Sequence, residues 1–164
     1  NTIQPSYIRT ESDEATYNLH IMIRYELEKL MVEGDIEVDE IPDAWDAMYE
    51  EYLGIKPNNR TNGILQDIHW CMGAIGYFPT YTLGNLYAAQ LLEAARDDIP
   101  DHDERVVNGD FQPLLNWMRS KIHNRGSILE PAELIKEATG RYPSPQPFVE
   151  YLSDKVRRLY DIEI

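Results

Sequence analysis

Apolar residues recur at helical spacing along most of the chain, and no stretch shows the strict alternation of a half-buried strand. From Thr10 to Gly34, "TESDEATYNLHIMIRYELEKLMVEG" carries apolar side chains at 15, 19, 22, 23, 27, 30 and 31, the pattern of one helix face. Thr10 followed by Asp13 resembles a capping box at its start, and Gly34 reads as its stop. Tyr17, Ile21, Tyr25 and Val32 mark a second face. The middle of this helix is therefore apolar almost all round, as in helices buried deep inside large proteins. A chain of 164 residues offers little to bury it against. The pattern predicts that covering structure lies outside this sequence.

The later segments repeat the theme. "IPDAWDAMYEEYLG" reads as a helix with Pro42 in its first turn and Gly54 as its stop. "KPNNRTNG" reads as a polar turn. "LGNLYAAQLLEAARDDIP" predicts a helix ended before Pro100. "DFQPLLNWMRSKIHNRG" has Asp110 as its expected cap, apolar positions at 111, 114, 115, 118 and 122, and Gly126 beyond. "EPAELIKEATG" predicts a short helix. "SPQPFVEYLSDKVRRLYDI" places Phe148, Tyr151, Leu152, Val156 and Leu159 on one stripe. The expected fold class is all-α, with residues 1–164 forming one helical region.

Composition narrows the classes. Hydrophobic residues at 43% and charged residues at 27% exclude a disordered chain. No apolar run reaches the length of a membrane span, so no membrane association is expected. "NTIQPSYIRT" has neither a basic nor an apolar leader region, which argues against a signal peptide. The absence of an initiator Met predicts a piece of something longer. The single Cys71 excludes an internal disulfide and a cysteine-based metal cluster. It points to a reducing, cytoplasmic setting and to a small core residue. A formal net charge of −14 repels nucleic-acid backbones, so no nucleic-acid partner is expected. Any anion site must be a local pocket in which an Arg works against the global field.

Against this acidic background, "GILQDIHWCMGAIGYFPTYTLGNLYAAQ" (Gly63 to Gln90) is almost free of charge. His69 is either a satisfied interior histidine or a donor to a reacting carbonyl oxygen. Tyr77 and Tyr81 are either aromatic packing or uncharged donors to an oxyanion. Arg9 is either half of a surface ion pair with Glu11 or Asp13 or a fork that grips a carboxylate bidentately. His20 either pairs along its helix with Arg24 or Glu28 or sits in a core. His102, in "DHDE", reads as part of a solvated turn, and His123 as part of a polar helix end. No histidine pair has the spacing of a zincin helix, and no nucleophile elbow, Walker loop or dinucleotide fingerprint occurs. The residues alone assemble no complete active site.

Two segments carry a resemblance. "IRTESD" (Ile8 to Asp13) resembles the Ile-Arg-x-x-Ala-Asp motif of the carboxypeptidase Taq family of thermostable zinc metallocarboxypeptidases. "GILQDIHW" (Gly63 to Trp70) matches that family's Gly-x-x-Gln-Asp-x-His-Trp motif in full. "GYFPTYTLGNLYAAQ" and "IPDAWDAMYEEYLGI" are also similar to family sequence, and the likeness runs through the chain. Ser12 stands where the family usually has Ala, a small-for-small departure. The family's His-Glu-x-x-His, His-Pro-Phe and Asp-x-Arg-x-Thr motifs do not occur here.

The resemblance implies the C-terminal portion of a larger, all-helical, groove-containing zincin-type enzyme, commonly a homodimer, that removes C-terminal residues from peptides. It implies Zn2+ in the intact enzyme, with no metal ligand in this chain and no activity of this portion alone. The peptide C-terminus and the N-terminal part of the same enzyme are the implied partners. Arg9 becomes the candidate for the substrate's terminal carboxylate, or for organising its pocket. His69 with Tyr77 or Tyr81 becomes the candidate catalytic donor set, an arrangement similar also to the His…Gly-Tyr…Tyr of neurolysin-like oligopeptidases. Gln66 and Asp67 are the candidate orienters of His69 on the substrate-binding side. A standalone acidic helical module that binds a protein partner is the alternative.

Overall fold

The computed structural model describes residues 2–163. Among them are seven α-helices and no strand: α1 (Tyr17–Glu33), α2 (Ile41–Leu53), α3 (Pro79–Asp98), α4 (His102–Val107), α5 (Gln112–Lys121), α6 (Pro131–Thr139) and α7 (Gln146–Tyr160). Short 3-10 turns interrupt the connections, among them Arg9–Glu11 and Trp70–Met72. No described helix is long and apolar enough to cross a membrane. The chain divides into two compact units, Asn1–Leu83 and Gly84–Ile164.

The first unit is built on α1 and α2. Residues one helical turn apart on each, Ile23 and Leu27 against Trp45, Tyr49 and Leu53, form its buried core. Trp45 stacks on Tyr49 at 5.1 Å between ring centroids, and Trp70 meets Trp45 edge-on at 6.2 Å. Both helices end where expected, on Gly34 and Gly54, whose left-handed φ of 76° and 68° suits glycine. The polar turn 56–63 is tied back by Arg60, which donates to Pro42 O, Asp43 and Asp46 at the start of α2.

The start of α1 differs from the sequence expectation. It begins at Tyr17, and Thr10 lies outside it, exposed. Thr16 is the N-cap and makes no side-chain cap bond; Asp13 instead closes the turn ahead of the helix, its carboxylate accepting from the backbone N–H groups of Ala15 and Thr16 (2.9 and 3.0 Å) and of Gln4 (2.9 Å). The expected all-round apolar face divides: Ile21 is buried, whereas Met22, Tyr25 and Val32 are exposed.

In the second unit Ala95, Ile99 and Trp117 form the core, with Leu91, Ala94, Leu114 and Met118 packed on it. Trp117 Nε1 donates to Asp98 at 2.8 Å. Gln90, fully buried, clamps the connection between α6 and α7. It donates to Thr139 Oγ1, Arg141 O and Tyr142 O and accepts from Ser144 N. Three local expectations fail here. Asp110 does not cap α5; its carboxylate pairs with Arg105 instead. α3 starts four residues early, at Pro79, which is a favoured first-turn residue. His102 is buried rather than solvated, its Nδ1 2.7 Å from Asp103.

Candidate functional site

All six residues singled out from the sequence fall in the first unit. The turn Arg9–Glu11, the irregular segment 63–78 and the first turn of α3 supply them. The segment 63–78 holds one 3-10 turn, Trp70–Met72, and is otherwise pinned at several points by side chains. Gly63 lies against Trp45 so closely that a Cβ there would stand 3.2 Å from Asn59 O and 3.6 Å from the indole nitrogen. Gly76, with φ 77°, turns its N–H onto the buried carboxylate of Glu28. Phe78, 1% exposed, inserts beside His69 and Trp70, with ring centroids 4.4 and 5.5 Å away.

Gln66 and Asp67 join this segment to Arg9. Gln66 Oε1 accepts from the backbone N–H of Arg9 at 2.9 Å, and its Nε2 donates to Tyr7 O at 2.9 Å. Asp67 Oδ1 accepts from Arg9 Nε (3.2 Å) and Nη2 (2.9 Å), while Arg9 Nη1 donates to the Tyr17 hydroxyl at 3.1 Å. Arg9 is buried, and its guanidinium also lies 5.1 Å from the centre of the Tyr81 ring. The expected surface pair with Glu11 or Asp13 is therefore replaced by a buried pair with Asp67. The guanidinium does grip a carboxylate, but an internal one. Gln66 holds the backbone of residues 7–9 rather than His69.

His69 sits on the exposed side of this cluster. Its Nε2 is 3.1 Å from the Tyr81 hydroxyl, and its Nδ1 lies 4.0 Å from Asp67 Oδ1 with no hydrogen-bond partner. Tyr77 and Tyr81, one turn apart, have ring centroids 5.5 Å from each other, and Tyr77 is 5.5 Å from His69. His69, Tyr77, Tyr81, Arg9 and Asp67 thus converge. The segment as a whole is not the low-dielectric interior its uncharged sequence suggests. Leu65, Ile68, Met72, Ile75 and Tyr77 are exposed, and Cys71 is exposed rather than a core residue.

Three participants were not marked by motif. Arg24 is wholly buried, donates to Asp67 Oδ2 (2.7 Å), Gln66 Oε1 (2.9 Å) and His20 O (2.8 Å), and lies 4.5 Å from the Trp45 ring centre. Tyr49 donates to Tyr7 O at 3.2 Å, and His20 Nδ1 is 3.0 Å from the same hydroxyl. The usable signal was a stripe: His20, Arg24 and Glu28 recur every four residues on the buried face of an otherwise apolar helix.

The electrostatics follow from the packing. Burial works against the charge on Arg9, but the hydrogen bonds and attraction of Asp67 outweigh it and hold its pKa above the ordinary value. Burial likewise opposes ionisation of Asp67, yet Arg24 and then Arg9 pull its pKa below the usual carboxylate range. His20 is pushed down to about 4, first by burial and then by the two neighbouring guanidinium groups of Arg24 and Arg9. Burial and the adjacent Tyr77 raise the Tyr81 hydroxyl. Among the described residues, no three His, Cys, Asp or Glu side chains are placed to hold a metal ion, so the cluster does not fit a cation cage. What it can do is present a buried, oriented guanidinium and several uncharged donors to an anionic or polarised group.

Comparison with known proteins identifies the family. The carboxypeptidase Taq (M32) metallopeptidase model matches residues 1–156. The chain is 46% identical over 160 residues to thermostable carboxypeptidase 1 of Thermus thermophilus, covering 98% of this chain and 31% of that protein. It is 44% identical over 160 residues to carboxypeptidase 1 of Bacillus subtilis, covering 98% of this chain and 32% of that protein. Among solved structures it superposes on the M32 carboxypeptidase of Deinococcus radiodurans with a TM-score of 0.95 and 40% identity, over 99% of this chain and 33% of the other. The Pyrococcus furiosus carboxypeptidase gives 0.91 and 47%, over 93% of this chain and 31% of the other. The chain thus spans about a third of the length of the relatives it matches. With Arg9 in the first motif, Gln66, Asp67 and His69 in the second, and the family match running through both, the chain belongs to the carboxypeptidase Taq (M32) family of metallopeptidases.

Proposed function

We propose that this chain supplies the substrate-facing donors of a metal-dependent carboxypeptidase that releases C-terminal residues from peptides. The observation that carries the reading is the convergence, within one unit, of Arg9, Asp67 and His69 from the two family motifs with Tyr77 and Tyr81. In this reading the cation is zinc, and its ligands and the base that activates water lie in the part of the relatives' length that this chain does not span. When bound, the cation supplies Lewis-acid polarisation and an activated water. The whole enzyme works as a homodimer in a reducing, cytoplasmic compartment, in keeping with the single thiol.

The donors divide the work. Asp67 Oδ1, 4.0 Å from His69 Nδ1, favours the tautomer with its proton on Nδ1. His69 Nε2 is then an acceptor, and the Tyr81 hydroxyl donates to it across 3.1 Å. That leaves the Tyr77 hydroxyl, which has no hydrogen bond among the described residues, as the donor for a developing oxyanion. Tyr81 and His69 position it through ring packing. Arg9, held by Asp67 and Tyr17, faces the terminal carboxylate of the peptide and organises its pocket.

The test is a longer chain that carries this sequence in frame, incubated with an N-blocked peptide and assayed for free C-terminal amino acid. Release that is lost in Arg9→Ala and His69→Ala supports the reading. Loss of one oxyanion donor costs about 100-fold to 1,000-fold in kcat, which is the fall expected for Tyr77→Phe, with a smaller one for Tyr81→Phe. The reverse order overturns the tyrosine assignment, and absence of release overturns the whole. The 164-residue chain alone, given Zn2+, is expected to release nothing. Chelator-sensitive turnover by it would contradict the proposed division of labour.

A further inference from the structure

We propose that Arg24 is a positioning residue: by holding one oxygen of Asp67, it prevents that carboxylate from closing on Arg9 as a two-oxygen fork. The inference rests on reading Arg9 as the group that faces the substrate carboxylate. An isolated Arg–carboxylate pair settles into two parallel N–H···O bonds, one to each oxygen. Here it does not. Arg9 Nε and Nη2 both reach the single oxygen Oδ1, at 3.2 and 2.9 Å, because Oδ2 is taken by Arg24 Nε at 2.7 Å. Asp67 is thereby shared between two guanidinium groups, and Arg9 is left less neutralised and turned by its other edge onto Tyr17.

Arg24 is built to act only through others. Its side chain is wholly buried; Nη2 shares Asp67 Oδ2 (2.7 Å) and reaches Gln66 Oε1 (2.9 Å), Nη1 donates to His20 O (2.8 Å), both meet the Tyr49 hydroxyl at 3.4 Å, and the Trp45 ring lies 4.5 Å away. Gln66 in turn accepts from the backbone N–H of Arg9, so the same guanidinium sets both the side chain and the main chain of that residue. Stability alone is a weak reason for this arrangement. A buried ion pair is often no better than apolar side chains of the same volume. Asp67 and Gln66 are adjacent in the second family motif, yet their shared ligand lies on α1.

Two measurements decide the matter. In the 164-residue chain, the Arg9 Nε–H resonance is followed by nitrogen-15 NMR in wild type, Arg24→Gln and Arg24→Lys. Arg24→Gln frees Oδ2, so the Arg9 signal is expected to move downfield and to exchange more slowly. Arg24→Lys retains one donor to Oδ2 but loses the fork, and a smaller, resolved shift is expected. An unmoved Arg9 signal in a folded Arg24→Gln overturns the proposal. If that variant does not fold, an unmoved signal in Arg24→Lys does the same.

In the longer chain, KM for a blocked peptide is expected to rise about tenfold in Arg24→Gln, with kcat within about threefold and partial recovery in Arg24→Lys. A fall in kcat at constant KM means that Arg24 only holds the fold, and overturns the proposal. Should the wild-type longer chain release no amino acid, the carboxypeptidase reading fails, and the NMR result still decides the role of Arg24.

Discussion

Replacing His20 by Phe should make the first unit less sensitive to acid. The hydroxyl proton of Tyr49 goes to Tyr7 O, so His20 Nδ1–H donates to Tyr49, and the lone pair sits on Nε2. That atom is buried without a partner. A proton placed there would find no acceptor and would face Arg24 and Arg9, whose repulsion outweighs the attraction of Asp67 and Asp13. The folded pKa of about 4 lies below the ordinary 6.5, so the unfolded chain binds the extra proton first. Stability from this group is complete above pH 6.5, declines as pH falls, and is fully lost below about 4. Between pH 7 and pH 5 the linkage removes about 2 kcal/mol.

Phe keeps the ring but removes both the Tyr49 bond and the orphaned nitrogen. The two changes are of similar size and opposite sign, so stability at pH 7 should shift by less than about 1 kcal/mol. The assay is urea unfolding read by tryptophan fluorescence in a Trp117→Phe background, where Trp45 and Trp70 report the first unit alone. Wild type should lose stability from pH 7 to pH 5 and His20→Phe should not. Parallel curves for the two proteins over that range would refute the reasoning.

Asp67→Asn leaves the buried guanidinium of Arg24 uncompensated and should destabilise the first unit by about 3–5 kcal/mol in the same assay. Gln90→Ala strips the clamp from residues 139–144, and trypsin should then cut after Arg141 well before it attacks the helices; unchanged cleavage kinetics would count against the clamp. Met22, Tyr25 and Val32 leave an apolar stripe exposed on α1, and size-exclusion chromatography should show association rising with concentration and suppressed by Tyr25→Glu. A monomer at every concentration would remove that expectation.

Helix positions were legible because burial on α1 and α2 follows simple periodicity and both helices stop on glycine. Helix starts were less so. Thr10 and Asp110 are good caps by type, but Asp13 reaches the N–H groups of Ala15 and Thr16, and Arg105 claims Asp110. No local rule foresees that competition. At the site, the motifs located Arg9, Asp67 and His69, whereas Arg24 and Tyr49 were hidden by their helices. A charge on a core face is visible as an anomaly, but its partner 43 residues away is not. Cys71 and the apolar residues around it show the opposite failure. Hydrophobic character predicts burial only when something is present to cover it.

Cys71 stands exposed on the short turn just after His69, and the chain has no second thiol with which to close a ring. In the 164-residue chain any S–S bond it forms must join two molecules, so air-oxidised stocks of that chain will accumulate covalent pairs. These would masquerade as reversible association unless a reductant is kept in the buffer. The same sulfur is a single-site handle: a maleimide dye can be attached there, two residues along the chain from His69.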